Sequence, residues 1–380
     1  MSLTNRLLAE LKGDRTIWMI VILLSLFSML IIYSSTGKIA YVEKEGDTTY
    51  FLFSQIAVIV VGWFAMYVCY SMHYSRFSKI APFLLAIAIP LLAFTLVFGV
   101  NINDAKRWIR IAGFTFQTSD FAKIALIIYV ARAIASKQDR IKDFSGAFVP
   151  IILPIVTVCG LIAPADLSTA VILFAACFAM MFVGRIEIKY LVALVVAGVT
   201  AFAMIYFVGM TTNLIPRVHT WSQRVKDFIN DADGGYQITQ AKIAIARGEW
   251  FGIGPGNSLQ RNYLPSPYSD YIYSMICEEY GLFGAFIILA LYVMLFIRVT
   301  KLVTRSSKTF GAMLAMGLCL LIVIQAITNM SVSVHLIPVA GLTLPLISKG
   351  GTSFLFMSIA FGIILSVSKQ MEKDQLMGDE

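Results

Sequence analysis

Histidine and cysteine are scarce in this chain and widely dispersed. The three histidines, His73, His219 and His335, show no metal-ligand spacing, so no zinc site is suggested. The five cysteines, Cys69, Cys159, Cys177, Cys277 and Cys319, all lie inside apolar runs and read as small core residues, not disulfide partners. Charge is thin too: 14% of residues are charged and 58% are hydrophobic, with a mean hydropathy of +0.80. That composition excludes a soluble domain of this length. There is no Walker motif, so the chain does not itself use cytosolic nucleotide. Short alternating segments of the kind a β-barrel needs are missing, as are low-complexity tracts and clear internal repeats.

What the sequence does have is one apolar run after another, each close to the ~20 residues that cross a bilayer. Ten candidate spans fall near 17–35, 50–70, 79–99, 119–136, 147–164, 166–184, 188–209, 270–298, 309–333 and 346–368. The expectation is an all-α polytopic membrane protein forming a single membrane domain over 1–380. The fifth and sixth spans are parted only by "APADLS" (163–168), a helical hairpin. The apolar segment after Arg15 lacks a small-residue cleavage site and is expected to stay as the first helix.

Ten spans put both termini on one side. That side carries seventeen Lys and Arg in its short segments, against six opposite (Lys38, Lys44, Lys106, Arg107, Arg110 and Lys349), which places the termini in the cytoplasm. The same asymmetry accounts for the net charge of +8. No basic patch interleaved with aromatics points to nucleic acid. The hydrophilic stretch 210–269 then becomes a large extracytoplasmic loop between the seventh and eighth spans. Within it, "QITQAKIAIARGEW" (237–250) sets Ile238, Ala241 and Ile245 at helical spacing with Gly248 as a stop. An amphipathic helix along the bilayer surface is expected there. "GIGPGN" (252–257) reads as a turn or anion-binding nest. No strand precedes it and no helix pattern follows, so a dinucleotide fold is rejected.

Ionisable residues within spans are costly and usually face a cavity, a partner or a pathway. Asp120 and Lys123, three apart in the fourth span, are expected to form a structural ion pair. Arg107 and Trp108 suit the membrane interface, where plain anchoring competes with ligand binding. Asp166 fits an N-cap for the sixth span. Asp270 follows Pro265 and Pro267 at the head of the eighth span, and local chemistry leaves two readings open: helix cap or functional carboxylate. Glu278 and Glu279 lie ~12 Å further along the helix axis and need partners or water, which implies a polar cavity between helices. Pro338, Pro345 and the pair Gly350–Gly351 interrupt helicity before and inside the last span. These special residues gather on the outer side.

The segment "GGYQITQAKIAIARGEWFGIGPGNSLQRNYLPSPYSDYIYSMICEEYGLFG" (234–284) closely resembles the SEDS family (shape, elongation, division and sporulation), whose members include FtsW, RodA and SpoVE. "KRWIRIAGFTFQTSDFAKIAL" (106–126), "PADLSTA" (164–170) and "LTLPLISKGGTS" (342–353) are similar to other family elements, in the same order. "RGEWFGIGPGNS" (247–258) is closer to the division-type FtsW branch. Departures from the family pattern are Asp104 for a glycine, Asp120 for a glutamate, "ADLS" for "PDLG", "LPSPYSD" without the usual Glu and His, and Lys349 for a tyrosine.

The resemblance implies a peptidoglycan glycosyltransferase at the outer face of the bacterial cytoplasmic membrane. Its substrate would be lipid II, and its partners a class B penicillin-binding protein (a transpeptidase) and divisome or elongasome proteins. It implies Asp270 as catalytic base or carboxylate ligand of a divalent cation, Mg or Mn. Substrate-binding roles fall to Arg107, Trp108, Arg247, Asn257, Lys349, Gly350 and Gly351. Two other readings compete: a flippase for a lipid-linked precursor, which predicts polar groups strung across the midplane and repeat symmetry, and a non-catalytic division scaffold, which would tolerate loss of Asp270.

Overall fold

A computed structural model describes residues 12–37, 39, 41, 48–102, 105–111, 114–212, 217–230, 235–306 and 308–378. Asp104, Arg6, Lys38 and Lys44 lie outside the described residues. The chain runs through α1 (Arg15–Ser35), α2 (Thr48–Ser71) and α3 (Ser75–Phe98). Three short strands follow, β1 (Val100–Ile102), β2 (Ala105–Ile111) and β3 (Phe114–Gln117). Next come α4 (Thr118–Ser136), α5 (Val149–Ile162), α6 (Leu167–Val183), α7 (Ile188–Thr212), α8 (Arg217–Asn230) and α9 (Gly235–Gly248). The last three are α10 (Ile272–Thr304), α11 (Thr309–Ser333) and α12 (Gly351–Gly378).

Eight of the described helices are long and apolar enough to cross a membrane. The expected sixth span, α6, is apolar but only 17 residues long. The expected fourth span, α4, carries Asp120, Lys123 and Arg132, which set it apart from the eight. It is nevertheless buried along most of its length, packed between α3 and α11. Helix α11 forms the centre of the bundle, touching α4, α6, α10 and α12.

Four features differ from the sequence expectation. Residues 100–102, 105–111 and 114–117 are not plain interfacial loop: they form a three-stranded antiparallel sheet in the order β1-β2-β3, with Trp108 opposite Gln117. Among the described residues the chain is thus all-helical apart from this small sheet. The last helix begins at Gly351, not near 346, because Pro345 cannot donate into a helix and the Gly350–Gly351 pair allows the restart. The coil before it is buried at Leu342, Leu344, Leu346, Ile347 and Ser348. Its polar groups are met inside the protein: Tyr292 OH donates to the Pro345 carbonyl at 2.5 Å, and Ser28 Oγ to that of Ile347 at 2.8 Å.

The third difference is that α8 was not anticipated, although Val218, Trp221 and Val225 recur at helical spacing. The fourth concerns α9. Its small face, Ile238, Ala241, Ala244 and Gly248, is buried against α10 and does not lie on lipid. A Cβ at Gly248 would fall 1.8 Å from the Cys277 carbonyl, so the approach of the two helices depends on the missing side chain.

The glycine-rich segment explains itself through α10. That helix breaks at Gly281, whose φ of 67° and ψ of −171° no other residue adopts without strain. Four intrahelical groups would be orphaned there. The carbonyls of Glu278 and Glu279 instead accept from the N–H groups of Ile253 (3.0 Å) and Gly254 (3.1 Å). In return, the N–H groups of Leu282 and Phe283 donate to the carbonyls of Glu249 (2.9 Å) and Trp250 (3.1 Å). The exchange satisfies all four groups. It also means that these N–H groups are not a free anion nest, which corrects one sequence reading.

Candidate active site

A chamber of about 530 Å³ opens at the head of α10, in front of the helix break. Each wall comes from a different element. Strand β2 brings Arg107 and Trp108, α4 brings Asp120 and Lys123, and α6 brings Asp166 at its start. Helix α8 adds Arg224 and α9 adds Gln237, while the buried coil before α12 ends at Lys349 and Gly350 on the rim. Asp270 stands among them.

Asp270 is not the cap of α10. The capping position is Tyr271, with no side-chain capping bond. The Asp270 carboxylate accepts instead from Ser269 Oγ at 2.9 Å and faces the chamber. Its backbone is held hard in place, because three successive carbonyls are taken by three different donors. Tyr268 O accepts from the Lys349 N–H at 2.9 Å, Ser269 O from Ser348 Oγ at 2.7 Å, and Asp270 O from Asn329 Nδ2 at 2.9 Å. The prolines at 265 and 267 keep this stretch out of helix, and tertiary donors replace the helical ones.

Burial pushes the Asp270 carboxyl above the ordinary carboxylate value. The Ser269 hydroxyl and the charges of Arg107 and Arg224 pull the other way, and the negative charge of Asp166 adds to the rise.

Around it, the expected pair forms. Asp120 and Lys123 meet at 2.9 Å with both side chains almost wholly buried, and Lys123 also reaches Gln325 Oε1 at 3.4 Å. Asp166 caps α6, accepting from the Thr169 N–H at 3.1 Å, as the sequence suggested. It does a second job that the sequence did not reveal, holding Arg107 Nη1 at 2.8 Å across the chamber wall. Lys349 Nζ lies 4.0 Å from the centre of the Phe51 ring and 5.0 Å from that of Tyr268, so its charge is steered by two aromatic faces.

Other expected residues are not brought to this place. Arg247 is exposed at the end of α9, and Asn257 is exposed with its amide donating to the Ile253 carbonyl at 3.0 Å. Neither lines the chamber; they flank the segment that repairs α10 on either side. Gly351 starts α12 beside the lining residue Gly350. Glu278 and Glu279, for which the sequence implied a polar cavity, do not line the chamber; they tie loops to the bundle. Glu278 accepts from Ser258 Oγ and from the N–H of Leu259 at 3.2 Å, and Glu279 accepts from Ser34 Oγ at the end of α1. Sequence reasoning missed Arg224, whose Nη1 donates to the Val339 carbonyl at 3.0 Å, and Asn329. The first was legible in the α8 periodicity; the second as an amide one turn from Gln325 inside an apolar span.

The family model for cell cycle proteins of the FtsW, RodA and SpoVE type matches residues 14–373. The chain belongs to this family. A probable peptidoglycan glycosyltransferase FtsW from Trichlorobacter lovleyi is 33% identical over 375 residues, 97% of this chain and 96% of the relative. Stage V sporulation protein E of Bacillus subtilis is 31% identical over 362 residues, 94% and 97% of the two chains. Among solved structures, the Thermus thermophilus rod shape determining protein RodA superposes with a TM-score of 0.70 at 21% identity, covering 95% of this chain and 98% of that one. A chain from a peptidoglycan synthase complex, described as coordinating polymerization and crosslinking, gives 0.72 at 22% identity, with 95% and 99% covered. The two structural likenesses show a shared SEDS fold, and with the apolar helices they make the chain a multi-pass membrane protein.

Proposed function

We propose that this peptidoglycan glycosyltransferase polymerises lipid II in the chamber around Asp270, at the outer face of the bacterial cytoplasmic membrane. The observation that carries the reading is the freedom of the Asp270 carboxylate: among the described residues it caps no helix and pairs with no cation, and it faces a chamber flanked by Arg107, Arg224 and Lys349. Ten membrane crossings, with α4 and α6 added to the eight long apolar helices, put both termini in the cytoplasm and the chamber outside.

In the reaction, the 4-hydroxyl oxygen of one disaccharide forms a bond to the anomeric carbon of the lipid-linked donor. The bond from that carbon to the pyrophosphate oxygen breaks, with inversion, and the pyrophosphate leaves with the electron pair. The hydroxyl proton goes to Asp270, whose burial makes it a stronger base than an ordinary carboxylate. Arg107, pre-oriented by Asp166, together with Arg224 and Lys349, offsets the charge of the leaving group. Among the described residues, Asp270 is also the one lining carboxylate not paired with a cation, since Asp120 and Asp166 each hold one. Asp270 would be the carboxylate ligand of a divalent cation, Mg or Mn, which when bound would supply further charge neutralisation.

A flippase is disfavoured because the chamber's charged groups sit at one end of the bundle and are not strung along it. A class B penicillin-binding protein is the proposed partner, supported by the likeness to a synthase complex. The deciding experiment adds lipid II to the purified chain with that transpeptidase and resolves glycan products. Strand formation by wild type that is absent for Asp270→Asn supports the reading; strands from both variants, or from neither, reject it.

A further inference from the structure

The chamber uses one end of α10. At the other end, a second cavity of about 450 Å³ lies between the start of α1, the end of α10 and the end of α12. Residues 282–304 rise ~35 Å, so the two cavities face opposite sides of the bundle. The second is ringed by Arg15, Arg298, Lys301 and Arg305, with Asp14 and Glu372 beside them.

The two acids are already engaged. Asp14 caps α1 through the N–H groups of Thr16 and Ile17 and lies 3.4 Å from Arg298, while Glu372 accepts from the Gly13 N–H at 2.7 Å. Among the described residues, the side chains of Arg15, Lys301 and Arg305 make no hydrogen bond or ion pair. Helix dipoles explain only part of this charge. Lys301 in the last turn of α10 and Arg305 just beyond it suit a helix C-terminus. Arg15 does not: it is the first residue of α1, where a cation meets the positive end of the helix. A general excess of Lys and Arg on one side of a membrane does not require four of them to converge on one hollow.

One turn from Arg15 along α1, Met19 is 45% exposed, and one turn from Lys301 along α10, Ile297 is 46% exposed. The cationic hollow thus continues into bare apolar surface on both helices. We infer that this pocket binds the phosphate headgroup of an anionic phospholipid of the leaflet opposite the chamber, with the acyl chains lying over Met19 and Ile297. The phosphate supplies the missing counter-charge to Arg15, Lys301 and Arg305, and the chains cover apolar area that a soluble anion would leave bare. The inference does not depend on the catalytic reading.

The test is native mass spectrometry of the full chain in neutral detergent, titrated with phosphatidylglycerol, phosphatidylcholine or inorganic phosphate. Wild type should hold one phosphatidylglycerol more tightly than any phosphatidylcholine, and inorganic phosphate should not displace it. Lys301→Gln combined with Arg305→Gln should weaken that adduct roughly thirtyfold. Should the double variant not fold, Arg15→Gln alone serves, since removing a cation from a helix N-terminus lowers affinity without lowering thermal stability. Equal adducts for wild type and variant, or equal retention of phosphatidylcholine, would overturn the lipid site. Displacement by inorganic phosphate alone would overturn it in favour of a soluble anion.

Discussion

Asn329 Nδ2 donates to the Asp270 carbonyl at 2.9 Å and to the Leu342 carbonyl at 2.6 Å. One amide in the middle of an apolar helix therefore fastens both the stretch that presents the carboxylate and the irregular coil that leads to Lys349. Asn329→Leu keeps the branched shape and deletes both donors. Each buried carbonyl left unpaired costs ~1–3 kcal/mol. The expected outcome is a lowered melting temperature in detergent together with reduced polymerisation. Unchanged melting and unchanged rate would show that the link is dispensable.

Asp270→Asn separates a structural from a chemical role. Asparagine caps helices about as well as aspartate, so a capping residue would tolerate the change. The structure assigns the cap to Tyr271, and we expect normal membrane levels with polymerisation reduced by at least ~100-fold, the contribution of a general base.

The pH dependence follows from the raised Asp270 pKa. A base must be ionised, so polymerisation should fall as pH drops through a midpoint above the ordinary aspartate value of ~3.9. Stability runs the opposite way. A carboxyl whose folded pKa exceeds its unfolded one stabilises the native chain at low pH, and that contribution disappears as pH rises through the folded pKa. At neutral pH Asp270→Asn should accordingly melt no lower than wild type. A clear drop in melting temperature at neutral pH would contradict this.

The Asp120–Lys123 pair lies in the wall of the chamber, almost wholly buried. Either single alanine variant strands a buried charge, at a cost of ~3–5 kcal/mol. Asp120→Leu combined with Lys123→Met should recover much of that stability. Thermal melts of the three variants decide this: if the double variant is no better than the singles, the interaction is not pairwise.

The break in α10 gives a steric prediction. A Cβ at Gly281 would sit 2.4 Å from the Trp250 carbonyl at a φ of +67°, whereas one at Gly198 in α7 meets nothing within 4 Å. Gly281→Ala should cut folded yield sharply, and Gly198→Ala should leave it unchanged. Comparable yields by fluorescence-detected size exclusion would refute the hydrogen-bond exchange at 249–254.

Several features of this protein were determined by the sequence alone, because they depend on local pattern. Apolar runs of span length mark where the helices lie, though not where the last one starts and ends, since burial of backbone polar groups in a bilayer leaves helix as the cheap solution. The same holds for the Asp120–Lys123 pair, three residues apart on one helix, and for Asp166 as the cap of α6. Arg107, Trp108, Asp270 and Lys349 were legible as polar or interfacial residues near span ends, and they do share one chamber.

Tertiary structure decided the rest, because each of those features is an exchange between segments far apart in sequence. Whether Asp270 caps α10 or faces a chamber depended on donors from Asn329, Ser348 and Lys349. The fate of "GIGPGN" depended on a break at Gly281, about thirty residues later, that left two carbonyls and two N–H groups to be matched. No periodicity encodes such a pairing: an isolated N–H looks equally ready for a phosphate or for a carbonyl, and only the nearest acceptor in space settles which one it meets.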